Sequence, residues 1–279
     1  MKVDPLGKIY DALEKSQQYS GKRSSESKAT HLNREENVDV KGAVTPLPRL
    51  FKPTSHRLDR SLIAYFKPES VEAEEFRKLA ANIVFHHVEN TGHCSLITSA
   101  IQGEGKSFLT ANLAVSLAKS LEEPVLLMDC DLRKPRMHTM FGIGNVAGLS
   151  DHFIKGIDIS ALIQKTAIDK LSILPAGSQS FHSAELLSSK RMSKLIQTIK
   201  TIHKKRIILI DSPPPLSTAE PIAIARQVDD VILVINCGST PRKMVEELIE
   251  NIGKEKLLGV VLNRYQKWFK PYYGYGTYQ

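Results

Sequence analysis

Between Ser95 and Ala118 the chain runs from an apolar stretch through a glycine-bearing loop into a helical pattern, SLITSAIQGEGKSFLTANLAVSLA. Strand, tight loop and helix in that order form the first part of a βαβ unit, whose next parallel strand has to lie in the same sheet. Five more apolar runs of strand length accompany it. The six are CSLITS (94–99), PVLLMDCD (124–131), LSILPAG (171–177), RIILIDS (206–212), DVILVIN (230–236) and LGVVLN (258–263). They are nearly continuous rather than alternating, as expected of strands covered on both faces. Helical spacing fills the intervals at Lys106–Ser120, Ala184–His203 and Pro241–Ile252. A further helix is expected near Ser70 to Val88, with Phe76, Leu79, Ile83 and Val84 as its apolar stripe. The fold class predicted is α/β: a doubly wound, mostly parallel sheet with helices on both faces.

Within the first unit, AIQGEGKS fits the phosphate-loop pattern GxxxxGK[ST], with Ala100 in place of the first glycine. Gly103 and Gly105 let backbone amides turn inward towards anionic oxygens, and Glu104 between them and Phe108 further on are counted with the nucleotide-binding residues. The helix that follows points its positive end at the same place. Lys106 is expected to reach β- and γ-phosphates and the Ser107 hydroxyl to ligate Mg²⁺. Phe108 stands where many such loops carry a second hydroxyl, which predicts weaker side-chain support for an α-phosphate. The ligand predicted is ATP with Mg²⁺.

Two other apolar runs end in acid. VLLMDCDLRKP places Asp129 and Asp131 just past its run, and RIILIDSPPP places Asp211 at its end. In open α/β sheets ligands bind beyond the carboxyl ends of the strands, so these carboxylates are expected to face the phosphate loop. Asp211 suits a Walker B residue, and Ser107, Asp129 and Asp211 form the expected metal set. A second carboxylate near one Mg²⁺ also offers a base for an attacking hydroxyl. Asp131 as a plain helix N-cap is the alternative, and Arg133 fits either a phosphate contact or a structural ion pair. Asn263, ending the last strand, fits an adenine contact or simple backbone pairing.

Outside this core, residues 1–20 read as a short amphipathic helix with Leu6, Ile9, Tyr10 and Leu13 on one face. Residues 21–57 read as a flexible linker, 58–265 as the catalytic domain and 266–279 as a tyrosine-rich tail. No stretch approaches a membrane span, and MKVDPLGKIYDALEK lacks a signal-type apolar segment, so a cytoplasmic protein is expected. Cys94, Cys130 and Cys237 sit in or beside apolar runs without metal spacing and are expected to be buried thiols. His86 and His87 are expected on a helix surface. The formal charge of +8 is dispersed, with no basic stripe interleaved with stacking aromatics, so no nucleic-acid partner is expected.

SAIQGEGKS, VLLMDCDLRKP and IILIDSPPP together resemble the Walker A, Walker A′ and Walker B motifs of the bacterial tyrosine autokinases of capsule and exopolysaccharide export, in their free-standing form. AELLSS (184–189), GVVLN (259–263) and the tyrosine-rich end add to the likeness, which runs from about Val71 to Gln279. GKIYDALEKSQ is similar to the opening of such kinases in exosortase-linked systems. The resemblance implies that Lys106, Asp129, Asp131 and Asp211 serve catalysis and that Tyr272, Tyr273, Tyr275 and Tyr278 accept phosphate. It implies a transient ring of copies, a membrane chain-length determinant as activator at the inner face of the membrane, and a cognate tyrosine phosphatase. Two departures stand out. The family's E-x-x-R-x-x-R oligomerisation motif keeps Glu74 and Arg77 but has Ala80 for its second arginine, and Gln102 replaces the usual proline before GEGKS.

Two other readings share part of this pattern. A MinD- or ParA-type switch ATPase has the same sheet and loop, but Ile101 stands where those proteins carry an interface-crossing lysine. A nucleotide-binding adaptor that transfers no phosphate is the other. Against it stand four tyrosines in the last eight residues, spaced by Gly274 and Gly276, a strip able to enter an active site.

Overall fold

The computed structural model describes residues 58–85, 92–180, 182–202, 206–213 and 220–265. The expected N-terminal helix, the linker, His86, His87 and the tail with Tyr272, Tyr273, Tyr275 and Tyr278 lie outside the described residues.

Seven strands make one sheet: β1 (His93–Ser99), β2 (Val125–Asp129), β3 (Gln164–Lys165), β4 (Leu171–Leu174), β5 (Ile207–Asp211), β6 (Asp230–Asn236) and β7 (Leu257–Asn263). Their order is β3-β4-β2-β5-β1-β6-β7, and every pairing is parallel except β3 with β4. From β1 the chain steps outward to β2 and β4, returns to fill the gap with β5, then continues past β1 to β6 and β7. The carboxyl end of β1 therefore lies at the reversal of strand order, where a doubly wound sheet opens its binding crevice.

The period-2 alternation of β5 explains the two-sided core. Ile208 and Ile210 join one apolar cluster, with Phe153, Leu195, Ile199, Val245 and Leu248. Ile207 and Leu209 join the other, with Leu109, Leu113, Leu117, Phe76 and Ile83. Each of the fully buried leucines contributes on the order of 1.5–3 kcal/mol. By the same alternation Asp211, which ends β5, falls on the face of Ile207 and Leu209 and hence of helix Lys106–Ser120. Asp129 follows Val125 and Leu127 onto that face too.

The helix Lys106–Ser120 has the expected bounds, and the Ser70–Val88 pattern is helical over Val71–Phe85. The stretch expected as one helix from Ala184 to His203 is two, Ser183–Leu187 and Lys190–Ile202. Ser189 breaks it: its hydroxyl donates to Leu186 O and accepts from the amide of Met192, capping the second helix. β4 stops at Leu174 because Pro175 has no amide to give the ladder. The two-residue edge strand β3 is too short to show a pattern. Cys94 and Cys130 are buried, whereas Cys237 is only half-buried, because it lies in the turn after β6 rather than within the strand.

Candidate active site

The loop between β1 and helix Lys106–Ser120 takes two left-handed turns, φ +86° at Gly103 and +96° at Gly105. Only glycine holds such angles without strain. A Cβ on Gly105 would also fall onto the Asn263 side-chain amide, so the position is closed on two grounds. A cleft of about 320 Å³ opens over this loop, lined by Gly103, Gly105, Lys106, Ser107, Asp131 and Arg136 among others.

Beneath the loop the carboxylates converge. Asp129 and Asp211 are register partners on β2 and β5, both buried. Ser107 Oγ donates to Asp211 Oδ2 at 2.7 Å. Asp129 Oδ2 accepts the amides of Arg136 (3.2 Å) and Met137 (3.1 Å), and its Oδ1 accepts that of Asp131 (3.1 Å). Asp129 thus closes the Walker A′ loop on itself. Burial, reinforced by Asp211, pushes the Asp129 carboxyl well above the usual range. Burial pushes Asp211 up to about 6, although its bond from Ser107 and the charge of Lys106 pull the other way. Burial pulls Lys106 below the usual lysine range, with Asp211, Asp131 and Glu104 opposing.

Burial disfavours the charged form of both carboxyls, and a cation beside them would favour it. Among the described residues no three acidic, histidine or cysteine side chains converge as a protein-only metal site. Mg²⁺ keeps waters and phosphate oxygens and takes few protein oxygens. Ser107 and Asp211, with Asp129 beside them, have the right donor chemistry.

Several assignments change in detail. Asp131 lines the cleft and accepts the amide of Lys134 at 3.0 Å within a turn; it caps no helix, because the next one, Met137–Met140, starts after Arg136. Arg133 donates its Nε to Ser183 Oγ at 3.0 Å and is not among the cleft-lining residues; Lys134 and Arg136 are. The Glu104 side chain turns away from the cleft and is buried, accepting the amides of Ile101 (2.8 Å) and Asn236 (3.1 Å) and the Thr240 hydroxyl. Phe108 lines the cleft but sets its ring edge-on against Phe76, centroids 5.9 Å apart. Asn263 puts its amide on Glu104 O at 2.7 Å rather than into open space for a base. Arg264, which sequence reasoning passed over, donates to Gly103 O at 3.0 Å and lines the cleft. RKPR at 133–136 carried a readable basic signal for Lys134 and Arg136; nothing in the sequence singled out Arg264.

Away from the cleft, Glu74 and Arg77 pair with each other (Nε–Oε2 2.8 Å), and Arg77 also donates to Pro68 O at 2.6 Å. Ala80 is buried within the apolar stripe of its helix, so an arginine there would have to displace core packing. Among the described residues no helix is long and apolar enough to cross a membrane.

A doubly wound sheet with a phosphate loop at its switch point and acids ending the next two strands on one side, β5 and β2, defines a P-loop nucleotide-binding protein of the MinD-like class. Residues 97–259 match the family model described as AAA domain. The tyrosine-protein kinase YwqD of Bacillus subtilis is 35% identical over 228 residues, covering 81% of this chain and 95% of YwqD. The crystal structure of the chimerical protein CapA2B2 superposes with a TM-score of 0.67 at 32% identity, covering 75% of this chain and 93% of that one. The septum site-determining protein MinD of Pyrococcus horikoshii, complexed with Mg-ADP, superposes with a TM-score of 0.51 at 26% identity over 62% of this chain and 71% of its own. The chain belongs to the bacterial tyrosine-protein kinases, and its enzymatic class is protein-tyrosine kinase.

Proposed function

We propose that this kinase transfers the γ-phosphoryl group of ATP to the tail tyrosines Tyr272, Tyr273, Tyr275 and Tyr278 of a neighbouring copy, and thereby regulates polymerisation and export of a capsular or exopolysaccharide. The observation that carries the reading is the Asp129–Asp211 register pair under the loop, with Asp131 open to the cleft above it. Lys106 binds the β- and γ-phosphates, and the Gly103–Ser107 amides hold them in place. Ser107 and Asp211, with Asp129 behind them, would hold Mg²⁺, which would supply charge neutralisation at the phosphates. Asp131, half-buried at the cleft, takes the proton of the incoming tyrosine hydroxyl as its oxygen bonds to the γ-phosphorus. The bond from that phosphorus to the β,γ-bridging oxygen breaks, and ADP leaves.

The resemblance supports a transient ring of copies, a membrane chain-length determinant that activates the kinase at the inner membrane face, and a phosphatase that reverses it. The Glu74–Arg77 pair is the part of the family's assembly motif retained here. A MinD-type switch is disfavoured by Ile101, which occupies the position of the interface-crossing lysine and gives its amide to Glu104. Mass spectrometry of the purified full chain after incubation with Mg-ATP tests the proposal. Phosphate on the four tail tyrosines is expected, and its absence from Lys106→Met protein. Hydrolysis of ATP with an unmodified tail would overturn it.

A further inference from the structure

The phosphate loop is gripped by the end of β7 and the residue after it. Asn263 Nδ2 donates to the carbonyl of Glu104 at 2.7 Å, and the Arg264 guanidinium donates to the carbonyl of Gly103 at 3.0 Å. Asn263 is fixed in turn: its Oδ1 accepts the amide of Arg264 at 2.9 Å, and its carbonyl accepts that of Cys237 at 2.9 Å. Arg264 itself holds a left-handed backbone, φ +59°, uncommon for a side-chain-bearing residue. The side chain of Glu104 completes the grip by tying the loop to Asn236, which ends β6, and to Thr240 in the turn beyond.

A trans peptide is planar, with its carbonyl and the next amide pointing in opposite directions. Fixing the carbonyls of Gly103 and Glu104 therefore fixes the amides of Glu104 and Gly105 on the other side. Amides aligned before an anion arrives need no reorganisation when it binds. We infer that Asn263 and Arg264 are positioning residues of the phosphate loop, acting on the polyphosphate of the nucleotide through the Gly103 and Glu104 carbonyls and not on its base. Arg264 directly follows β7, two residues before the tyrosine-rich segment that starts at residue 266. The inference rests on the loop being the phosphate site proposed above.

Calorimetry on the full chain with Mg-ATP, Mg-GTP and Mg-tripolyphosphate, which has no base, tests it. Asn263→Ala and Arg264→Ala should each weaken all three by the same factor, about 3- to 10-fold, the size of one hydrogen bond. Arg264→Lys, which keeps a donor, should recover part of the loss. The Tm of Arg264→Ala should not move, since the side chain is exposed. Loss for ATP with tripolyphosphate unchanged would make Asn263 a base reader and overturn the inference. Unchanged affinities, with or without a lower Tm, would show that the loop holds itself, and would overturn it equally. Lys106→Met separates this from the underlying reading. If that variant still binds tripolyphosphate at wild-type affinity the phosphate loop itself is misassigned, whereas failure of the Asn263 and Arg264 variants alone sinks only their positioning role.

Discussion

Ser107 and Asp211, 104 residues apart in sequence, meet at 2.7 Å with the serine hydroxyl donating to the carboxylate. The bond joins the first turn of the phosphate-loop helix to the end of β5. It brings the hydroxyl expected of a Walker A motif and the carboxylate expected of a Walker B motif onto one point, where their oxygens can share a hard cation.

Burial of the Asp211 carboxylate, only partly offset by the Ser107 bond, makes metal-free protein less stable than its fold allows. The folded-state pKa of Asp211, about 6, lies above the unfolded value for aspartate. Its contribution therefore favours the fold at low pH and is lost as pH rises through about 6. At neutral pH and without Mg²⁺, Asp211→Asn should raise the Tm by several degrees, because it removes a sequestered charge and keeps an oxygen for Ser107. Addition of Mg-ADP should stabilise the wild type and much less the variant. Thermal melts with and without chelator check both, and a lowered Tm in the metal-free variant would contradict the argument.

Lys106 is the buried cation of the cleft, and replacing it leaves the cores on both sheet faces untouched. Lys106→Met should abolish detectable Mg-ATP binding by calorimetry while the far-ultraviolet circular dichroism stays that of the wild type. Retained binding would remove the basis for the site.

Asp129 and Asp131, two residues apart, should respond differently. Asp129 is sealed and holds three backbone amides of its own loop, whereas Asp131 faces the cleft. Asp129→Asn keeps one acceptor oxygen and should both slow transfer and alter the Walker A′ loop, visible as faster amide exchange at Arg136 and Met137. Asp131→Asn should slow phosphoryl transfer by about 10²- to 10⁴-fold, the usual range for a lost proton acceptor, with the fold and nucleotide affinity preserved. Wild-type transfer rates in the Asp131 variant would move the base elsewhere.

The sheet was legible because its strands are apolar on both faces, a pattern that survives without any tertiary information. The phosphate loop and Asp211 were legible because their spacing from a strand end is set by the chemistry itself. The roles of Glu104 and Asn263 were not. Each looks like a ligand contact from its position, yet their side chains are spent on holding backbone: Glu104 on the turn after β6, Asn263 on the loop. Such roles depend on which strand lies beside which, and β7 reaches the loop only because β6 sits between it and β1. Arg133 and Arg136 are equally basic in sequence. Only the turn closed by Asp129 decides that Arg136 faces the cleft and Arg133 faces Ser183.

Transfer between copies is the remaining prediction. Tyrosine has an ordinary pKa near 10, so its hydroxyl must lose a proton as it attacks, and the acceptor carboxylate has to come within about 3 Å. Tyr272 follows Tyr265 by seven residues, a fully extended reach of about 25 Å. The proposal is tested by mixing Lys106→Met protein, which keeps its tail but lacks the phosphate-binding lysine, with wild-type chain truncated after Tyr265, which keeps its site but lacks the tail. Incubation with Mg-ATP should put phosphotyrosine on the inactive partner and nowhere else. Replacing Tyr272, Tyr273, Tyr275 and Tyr278 with Phe in that partner should abolish the label. No label in the mixture, alongside autophosphorylation of intact wild type, would establish transfer within one chain. Label that survives the four replacements would place the acceptor outside the tail.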